Sequence, residues 1–289
     1  MATRSCRAAR AAYPSDLTDA QWALLAPLIP PAESGGRERQ VDMHEIFNGI
    51  LYVLRAGCSW RMLPHDLPPW GTVHYYYRRF RQDGTLRKLH EHLRTKVRRQ
   101  AGRHPHPSAA ILDSQSVKTT RKGGPERGYD PAKKVNGRKR HLLVDTLGLI
   151  LAVLVHGADV GEREGARRLL ELVLKAKQAG RGCFERLKHV WVDAGYQGKE
   201  WVAWIETALG WSVEIVRKPR RWVWCPVDVE PPPMPAFTVL KRRWVVERTF
   251  AWLDTYRRLS KDYEYLPESS EAMIQLAMIN LMAHRLTPG

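Results

Sequence analysis

The alternation of apolar runs and amphipathic segments between residues 109 and 216 is the feature that most constrains the fold of this 289-residue chain. Short apolar runs flanked by turn residues are typical of β-strands, whereas apolar residues three and four apart predict helices. By these criteria strands are expected at 109–118, 140–146, 149–156, 189–193 and 212–216, and helices at 162–178 and 199–209. This order predicts an α/β domain with a mixed sheet.

The first hundred residues have a different pattern, with short amphipathic helices and no convincing strand. Helices are expected after the N-cap residue Thr18, over 41–55, over 72–82 with Thr72 as its cap, and from Leu86 to about Gln100. The domain organisation that follows is a basic disordered arm at 1–14, a helical domain at 15–100, a linker at 101–108 and the α/β domain at 109–289.

Charge indicates the kind of partner. The formal net charge is +17 and the sequence pI is about 10.0, so the natural partner is a polyanion, most simply nucleic acid. An acidic membrane surface is the alternative, but no stretch approaches the ~20 apolar residues that span a bilayer. The four cysteines form no C-x-x-C pair, which argues against a zinc ribbon and a secreted disulfide scaffold. We therefore expect a cytoplasmic, nucleoid-associated protein.

Two helices of the first region are candidates for DNA reading. Helices near 41–55 and 72–82, if joined by a tight turn, would form a helix-turn-helix. The second helix would then present Arg78, Arg79 and Arg81 to DNA. The alternative is a helical bundle whose arginines face solvent, and the spacing does not decide between the two.

Three acidic residues are candidates for catalysis. Asp113 and Asp193 each end an apolar run, and active sites of α/β sheets gather at strand ends. Glu247 lies in the basic first half of a segment, 241–261, that has the pattern of one long helix. Taken alone, each aspartate is more often a cap or turn residue, and Glu247 more often part of a solvated salt-bridge face. Three carboxylates in one pocket would need cations, and oxygen ligands suit Mg²⁺ or Mn²⁺, as two ions for phosphodiester chemistry.

The motifs around these acids resemble the DDE triad of bacterial insertion-sequence transposases, specifically the insertion-sequence-5 family of the insertion-sequence-4 group. They are Leu-Asp-Ser-Gln-Ser-Val-Lys at Asp113, Val-Asp-Ala-Gly-Tyr-Gln-Gly at Asp193 and Arg-Trp-Val-Val-Glu-Arg-Thr-Phe-Ala-Trp-Leu at Glu247. The helical region also resembles those proteins, in Leu-Thr-Asp-Ala-Gln-Trp and Gly-Cys-Ser-Trp-Arg-Met-Leu-Pro. The resemblance therefore covers nearly the whole chain.

This resemblance implies an RNase H-like catalytic domain, Mg²⁺-dependent cleavage at element ends and 3′-hydroxyl strand transfer into target DNA. It also implies that Asp113, Asp193 and Glu247 are the metal ligands and that Arg243 is the arginine four residues before the glutamate. The chain departs from the wider group at Asp254, where a lysine is common. Arg257 or Arg258 would then supply the missing cation.

The expected partners are double-stranded DNA, as terminal inverted repeats and target DNA, and a second copy of the chain, because pairing two ends implies at least a dimer. The candidate DNA contacts are Arg78, Arg79, Arg81, Lys118, Arg138, Lys139, Arg243, Arg248, Arg257 and Arg258. Tyr196 is a weaker candidate for base stacking. Two other functions fit the pattern: an RNase H-like nuclease that only cuts, and a non-catalytic helix-turn-helix DNA-binding protein.

Overall fold

A computed structural model describes residues 10–32, 39–121, 123–217, 228–229 and 242–287. Within them the helices are Asp19–Leu25 (α1), Met43–Ala56 (α2), Trp70–Gln82 (α3), Thr85–Gln100 (α4), Glu162–Gln178 (α5), Lys199–Leu209 (α6), Trp244–Asp254 (α7) and Pro267–Leu286 (α8). The strands are Ala109–Lys118 (β1), Gly128–Asp130 (β2), Val135–Asp145 (β3), Ile150–Gly157 (β4), His189–Asp193 (β5) and Ser212–Val216 (β6).

The strands form one six-stranded mixed sheet in the described part of the chain, in the order β2–β3–β1–β5–β6, with β4 also paired to β3. β3 is antiparallel to β1, β2 and β4, whereas β5 is parallel to β1 and β6. The predicted α/β class with a mixed sheet and a helical first region is therefore confirmed.

Alternation along β1 separates two hydrophobic cores, because successive side chains of a strand point to opposite faces. Ile111 belongs to the core that contains α1 to α4, α7 and α8. Ala110 and Leu112 belong to the core under α5 and α6. The helical first region thus packs on the same face of the sheet as α7 and α8. The predicted domain boundaries remain a prediction.

The β3–β4 hairpin holds α7 against the sheet. The Asp145 carboxylate accepts hydrogen bonds from the backbone N–H groups of Leu147 (2.8 Å) and Leu149 (2.9 Å). Gly148 has a positive φ of 81°, and a Cβ atom there would lie 2.9 Å from the Thr249 hydroxyl of α7. Thr249 donates to the Gly148 carbonyl at 2.8 Å, so this turn positions the helix that carries the candidate glutamate.

The predicted helix boundaries near the start of the chain are confirmed only in part. Thr18 is the N-cap of α1, as expected, and forms a capping box with Gln21. The third helix begins at Trp70 rather than after Thr72. Residues 57–69 separate α2 from α3 and include a 3₁₀ turn, so the expected tight turn of a helix-turn-helix is wrong.

Two further expectations need correction. The helix expected over 241–261 ends at Asp254 and is followed by a 3₁₀ turn at Arg257–Leu259. The stretch 121–138 is rich in Gly, Lys and Arg, a composition that predicts an exposed basic loop, but it contains β2 and the start of β3.

The start of the described chain is docked rather than disordered. Arg10 pairs with Asp16 at 2.7 Å and with Glu45 at 2.9 Å, and the Tyr13 hydroxyl lies 2.9 Å from the Asp66 carboxylate. Residues 1–9 of the expected arm lie outside the described residues, as do most of the Gly-rich polar stretch 34–39 and nearly all of the Pro- and Trp-rich stretch 219–235.

Candidate active site

Two of the three candidate acids lie side by side on neighbouring parallel strands. β1 pairs with β5 so that Ile111 faces Trp191, and two residues further along each strand are Asp113 and Asp193. Both aspartates therefore lie on the same face of the sheet, with the strands ~4.8 Å apart. We call Asp113 and Asp193 the acidic pair. They line one shallow depression together with Trp191 and Arg243.

The environment of Asp113 disfavours its charged form. The carboxylate accepts a hydrogen bond from the Ser114 N–H at 2.8 Å. Burial raises the pKa of Asp113 to about 6; the Ser114 hydrogen bond and Arg243 oppose this shift, and the nearby Asp193 carboxylate adds to it. A carboxylate in this position is stabilised by any further cation that approaches it.

Arg243 connects Asp193 to the third acid. Its guanidinium lies 3.3 Å from the Asp193 carboxylate and 3.5 Å from the Glu247 carboxylate, one helical turn further along α7. The Arg243 side chain is 17% exposed, whereas the Glu247 side chain is 59% exposed. The structure thus brings the triad residues to one neighbourhood, with an arginine between two of them. Among the described residues, no three His, Cys, Asp or Glu side chains are arranged to hold a metal ion.

Two residues that the sequence patterns did not single out lie near the acidic pair. Glu162, at the start of α5, pairs with Lys133 at 3.1 Å. A Cβ atom on Gly195 would lie 2.5 Å from the Glu162 carboxylate and 3.0 Å from that of Asp193. Lys133 lowers the pKa of Asp113. The only sequence signal for Glu162 was the predicted start of a helix at 162. That pattern does not show that this end of the helix lies near Asp193.

Tyr196 lies beneath the acidic pair. Its side chain is buried, and burial followed by the charge of Asp113 raises the pKa of its hydroxyl well above the usual value. The ring packs edge-on against His141, with centroids 6.3 Å apart. A buried ring of this kind is a packing residue in this structure, so the weaker candidacy of Tyr196 for base stacking is not supported.

Three of the predicted DNA contacts are buried structural cations, which contradicts that prediction for them. Arg138 is 0% exposed and pairs with Asp262 at 3.2 Å. Lys139 pairs with Asp130 at 3.3 Å and donates to the Val160 carbonyl at 2.9 Å.

Arg258 is the third of these cations. It pairs with Glu264 at 2.7 Å and donates to the Cys58 carbonyl at 2.7 Å. Its guanidinium is thereby held inside the protein between two chain segments that are distant in sequence. The structure thus assigns Arg258 a structural role rather than that of the missing cation near Asp254.

Other predicted contacts lie at or near the surface. Arg78, Lys118 and Arg257 are exposed. Arg79 is half-buried and donates to the Tyr75 hydroxyl, and Arg81 donates to the Ser269 hydroxyl at 2.7 Å. These residues remain predictions as DNA contacts.

Arg248 lies next to Glu247 on α7. Its guanidinium lies between the indole rings of Trp244 and Trp252, 4.5 Å and 4.7 Å from their centroids. It also donates to the Leu147 carbonyl at 3.0 Å. Arg243, described above, is held by the acids themselves.

Comparison with known protein families identifies the class. The family described as Transposase DDE domain matches residues 104–282, more than half of the chain. The chain therefore belongs to the DDE-domain transposases. Transposases act on DNA, in agreement with the partner expected from the net charge. Within the described residues, no helix is both long and apolar enough to cross a membrane.

A second family and two relatives make the assignment more specific. Residues 17–90 match the family described as Putative transposase of IS4/5 family, which confirms the predicted resemblance. The "Putative transposase for insertion sequence element IS402" of Burkholderia cepacia is 27% identical over 167 residues, covering 57% of this chain and 70% of the relative. The "Insertion element IS402 uncharacterized 16.2 kDa protein" of the same organism is 32% identical over 114 residues, covering 37% of this chain and 76% of the relative.

Proposed function

We propose that this transposase cleaves the phosphodiester bonds at the ends of its insertion sequence and joins the freed 3′-hydroxyl groups to target DNA. The observation that carries the proposal is the acidic pair on neighbouring strands β1 and β5, with Glu247 approaching through Arg243. Asp113, Asp193 and Glu247 are the proposed catalytic residues. The six-stranded mixed sheet, in which β1 pairs antiparallel with β3 and parallel with β5, supports an RNase H-like catalytic domain.

The donor set fits a hard divalent cation. All three side chains offer carboxylate oxygens, and burial raises the pKa of Asp113, a shift that a cation bound beside its carboxylate would oppose. Bound Mg²⁺ or Mn²⁺, as two ions, would activate the attacking hydroxyl and stabilise the leaving oxygen of a phosphodiester. Glu247 is the most exposed of the three and is paired in the described structure only with Arg243, which makes it the proposed last ligand of the set.

The residues around the acids have defined tasks in this proposal. The backbone N–H groups of Ser114 and Gly195, each 2.8 Å from its aspartate, orient the acidic pair. Arg243 balances the charge of Asp193 and of Glu247. Its planar guanidinium also suits the oxygens of a DNA phosphate, because it offers several N–H donors in a fixed arrangement.

A cleavage and joining assay on element-end DNA with Mg²⁺ tests the proposal. The variants Asp113→Asn, Asp193→Asn and Glu247→Gln remove one carboxylate each with little change in shape. We expect each to lose cleavage by roughly a hundredfold or more, while DNA affinity measured in EDTA is kept. Glu171→Gln is the matched control, because this exposed acid of α5 pairs only with Arg167 in the described structure.

Three outcomes would contradict the proposal in different ways. Undiminished cleavage by the triad variants would show that these acids are not catalytic. Cleavage without joining would make the protein a nuclease, and DNA binding without any cleavage would make it a non-catalytic binder. The proposed dimer on DNA is tested separately by light scattering of the complex with end DNA, where a mass of one chain per DNA end with no pairing of ends contradicts it.

A further inference from the structure

A cleft of about 410 Å³ lies where four parts of the chain meet, away from the acidic pair. Ser15 contributes from the start of the described chain and Arg55 from the end of α2. α7 and the residues after it contribute Trp252 and Tyr256, and the end of α8 contributes His284 and Arg285. A cleft of this size accommodates a nucleotide-sized group.

The charged side chains that line this cleft are cationic. Arg55 and Arg285 contribute guanidinium groups, burial lowers the pKa of His284 and so favours its neutral form, and none of the described lining residues is a carboxylate. Burial lowers the pKa of Arg285, and the nearby positive charge of Arg248 lowers it further. Two arginines in one cleft without an acid create a positive potential that a bound anion relieves.

The arginines of the cleft are held over aromatic rings. The Arg55 guanidinium lies 5.0 Å from the centroid of the Tyr256 ring, and that of Arg285 lies 4.3 Å from the centroid of the Trp252 ring. A guanidinium stacked on a ring keeps its N–H edge directed sideways, where it can donate to a phosphate oxygen.

A buried hydroxyl gives independent support for a ligand. Ser15 lines the cleft and is 9% exposed, and its hydroxyl has no hydrogen-bond partner among the described residues. Buried polar atoms without partners are rare in folded proteins, because each loses its hydrogen bond to water without replacement. A rotation of the Ser15 side chain towards the cleft would let an oxygen of a bound ligand supply the missing partner.

A row of stacked rings and guanidinium groups connects the cleft to the proposed catalytic helix. Trp244, Arg248 and Trp252 follow one another along α7, and Arg285 covers Trp252. The row runs beside Glu247 and ends at the cleft. The seven residue steps from Glu247 to the end of the helix span ~10.5 Å at ~1.5 Å per residue. Because B-form DNA carries one phosphate per ~3.4 Å on each strand, this distance corresponds to roughly three or four nucleotides.

We propose that the cleft lined by Ser15, Arg55, Trp252, Tyr256 and Arg285 binds a phosphate group of the DNA backbone three or four nucleotides from the cleaved bond. The two guanidinium groups donate to the phosphate oxygens from their positions over the rings, and the Ser15 hydroxyl joins them after a rotation of its side chain. The inference rests on the proposed function for the position of the cleaved bond, but the binding of DNA in the cleft does not require catalysis.

Equilibrium DNA binding in EDTA tests this proposal without any contribution from cleavage. The double variant Arg55→Gln and Arg285→Gln is compared with the wild type on end duplexes at several salt concentrations, by fluorescence anisotropy. We expect at least tenfold weaker binding and a salt slope, of log affinity against log salt, that is smaller by about 0.9, because one phosphate contact is lost. The matched control is Arg167→Gln with Arg168→Gln, which removes the same charge from the exposed face of α5.

Binding to DNA duplexes of different lengths gives a second test. Duplexes that end about two nucleotides beyond the cleavage site should bind the wild type and the cleft variant equally, and the difference should return at about six nucleotides. Equal salt slopes for the cleft variant and the control, or a difference that does not depend on duplex length, would overturn the proposal. Competition by a free mononucleotide with no effect of the variant on duplex binding would show a nucleotide site instead.

A substitute variant and a comparison with the triad variants separate failure of this proposal from failure of the proposed function. If the double variant fails to fold by circular dichroism, the single variant Arg55→Gln carries the test, because this side chain is exposed. If the triad variants retain cleavage while the cleft variant shows the expected slope, the assignment of the catalytic acids fails and the cleft stands. If the triad variants lose cleavage while the cleft variant keeps the salt slope of the control, the phosphate site in the cleft is rejected and the assignment of the catalytic acids stands.

Discussion

Replacing Arg138 by methionine should destabilise the fold without altering DNA contacts. The guanidinium is fully buried and donates to the carboxylate of Asp262 and to the backbone carbonyls of Pro125, Glu264 and Tyr265, at 2.7–3.2 Å. Removing one partner of a buried ion pair costs about 3–5 kcal/mol, because the other charge stays buried. Asp262 keeps hydrogen bonds from a serine hydroxyl and a backbone N–H, so we expect about 3 kcal/mol.

Urea unfolding followed by tryptophan fluorescence measures this loss directly. Arg257→Met is the matched control, since Arg257 is exposed and belongs to the same set of predicted DNA contacts. We expect its free energy of unfolding to change by less than about 0.5 kcal/mol. An Arg138→Met protein that unfolds like the wild type but has lost DNA affinity would refute the reasoning, because it would place Arg138 at the DNA surface.

Two other predictions concern stability. Burial raises the pKa of Glu271 from 4.5 to about 7, so its contribution to stability is full below pH ~4.5 and is lost as the pH rises to about 7, by up to about 3 kcal/mol. Glu271→Gln should keep the hydrogen bond from the Val155 N–H and flatten this part of the pH profile of unfolding; an unchanged profile would contradict the assignment. Gly165→Ala should destabilise the protein by about 1–3 kcal/mol in thermal unfolding, because the new Cβ atom would lie 2.3 Å from the His156 ring. Gly161→Ala, with no atom within 4 Å of the new Cβ, is its control and should be nearly neutral, and equal effects of the two changes would refute the packing argument.

Elements defined by local pattern were predictable from the sequence. The helices at 162–178 and 199–209 and the strands at 189–193 and 212–216 have the predicted bounds, because apolar spacing and turn residues are properties of neighbouring positions. The prediction of one long helix over 241–261 was wrong because local pattern does not show contacts with distant segments. Its composition contains no helix breaker, and the end at Asp254 is followed by Tyr256, whose ring is buried and whose hydroxyl hydrogen-bonds to α8.

Contacts between distant segments were not predictable from local pattern. Asp113 and Asp193 were singled out because each ends an apolar run, but the parallel pairing of β1 with β5 is what sets them side by side. The sequence analysis expected three carboxylates together in one pocket. In the structure Arg243 lies between Asp193 and Glu247, because its guanidinium pairs with both carboxylates. No periodicity in the sequence reports which cation reaches which acid.

The distribution of cations decides how the net charge of +17 acts on DNA. Part of the positive charge that suggested a DNA partner is used inside the fold. Buried or nearly buried cations link segments that are distant in sequence, and they include Arg98, Arg138, Lys139, Arg140 and Arg258. These cations are held by acids and carbonyls, so they release no counterions when DNA binds. The salt dependence of binding should therefore report fewer phosphate contacts than the total charge suggests, and those contacts should map to surface and cleft arginines such as Arg78, Arg257 and Arg55.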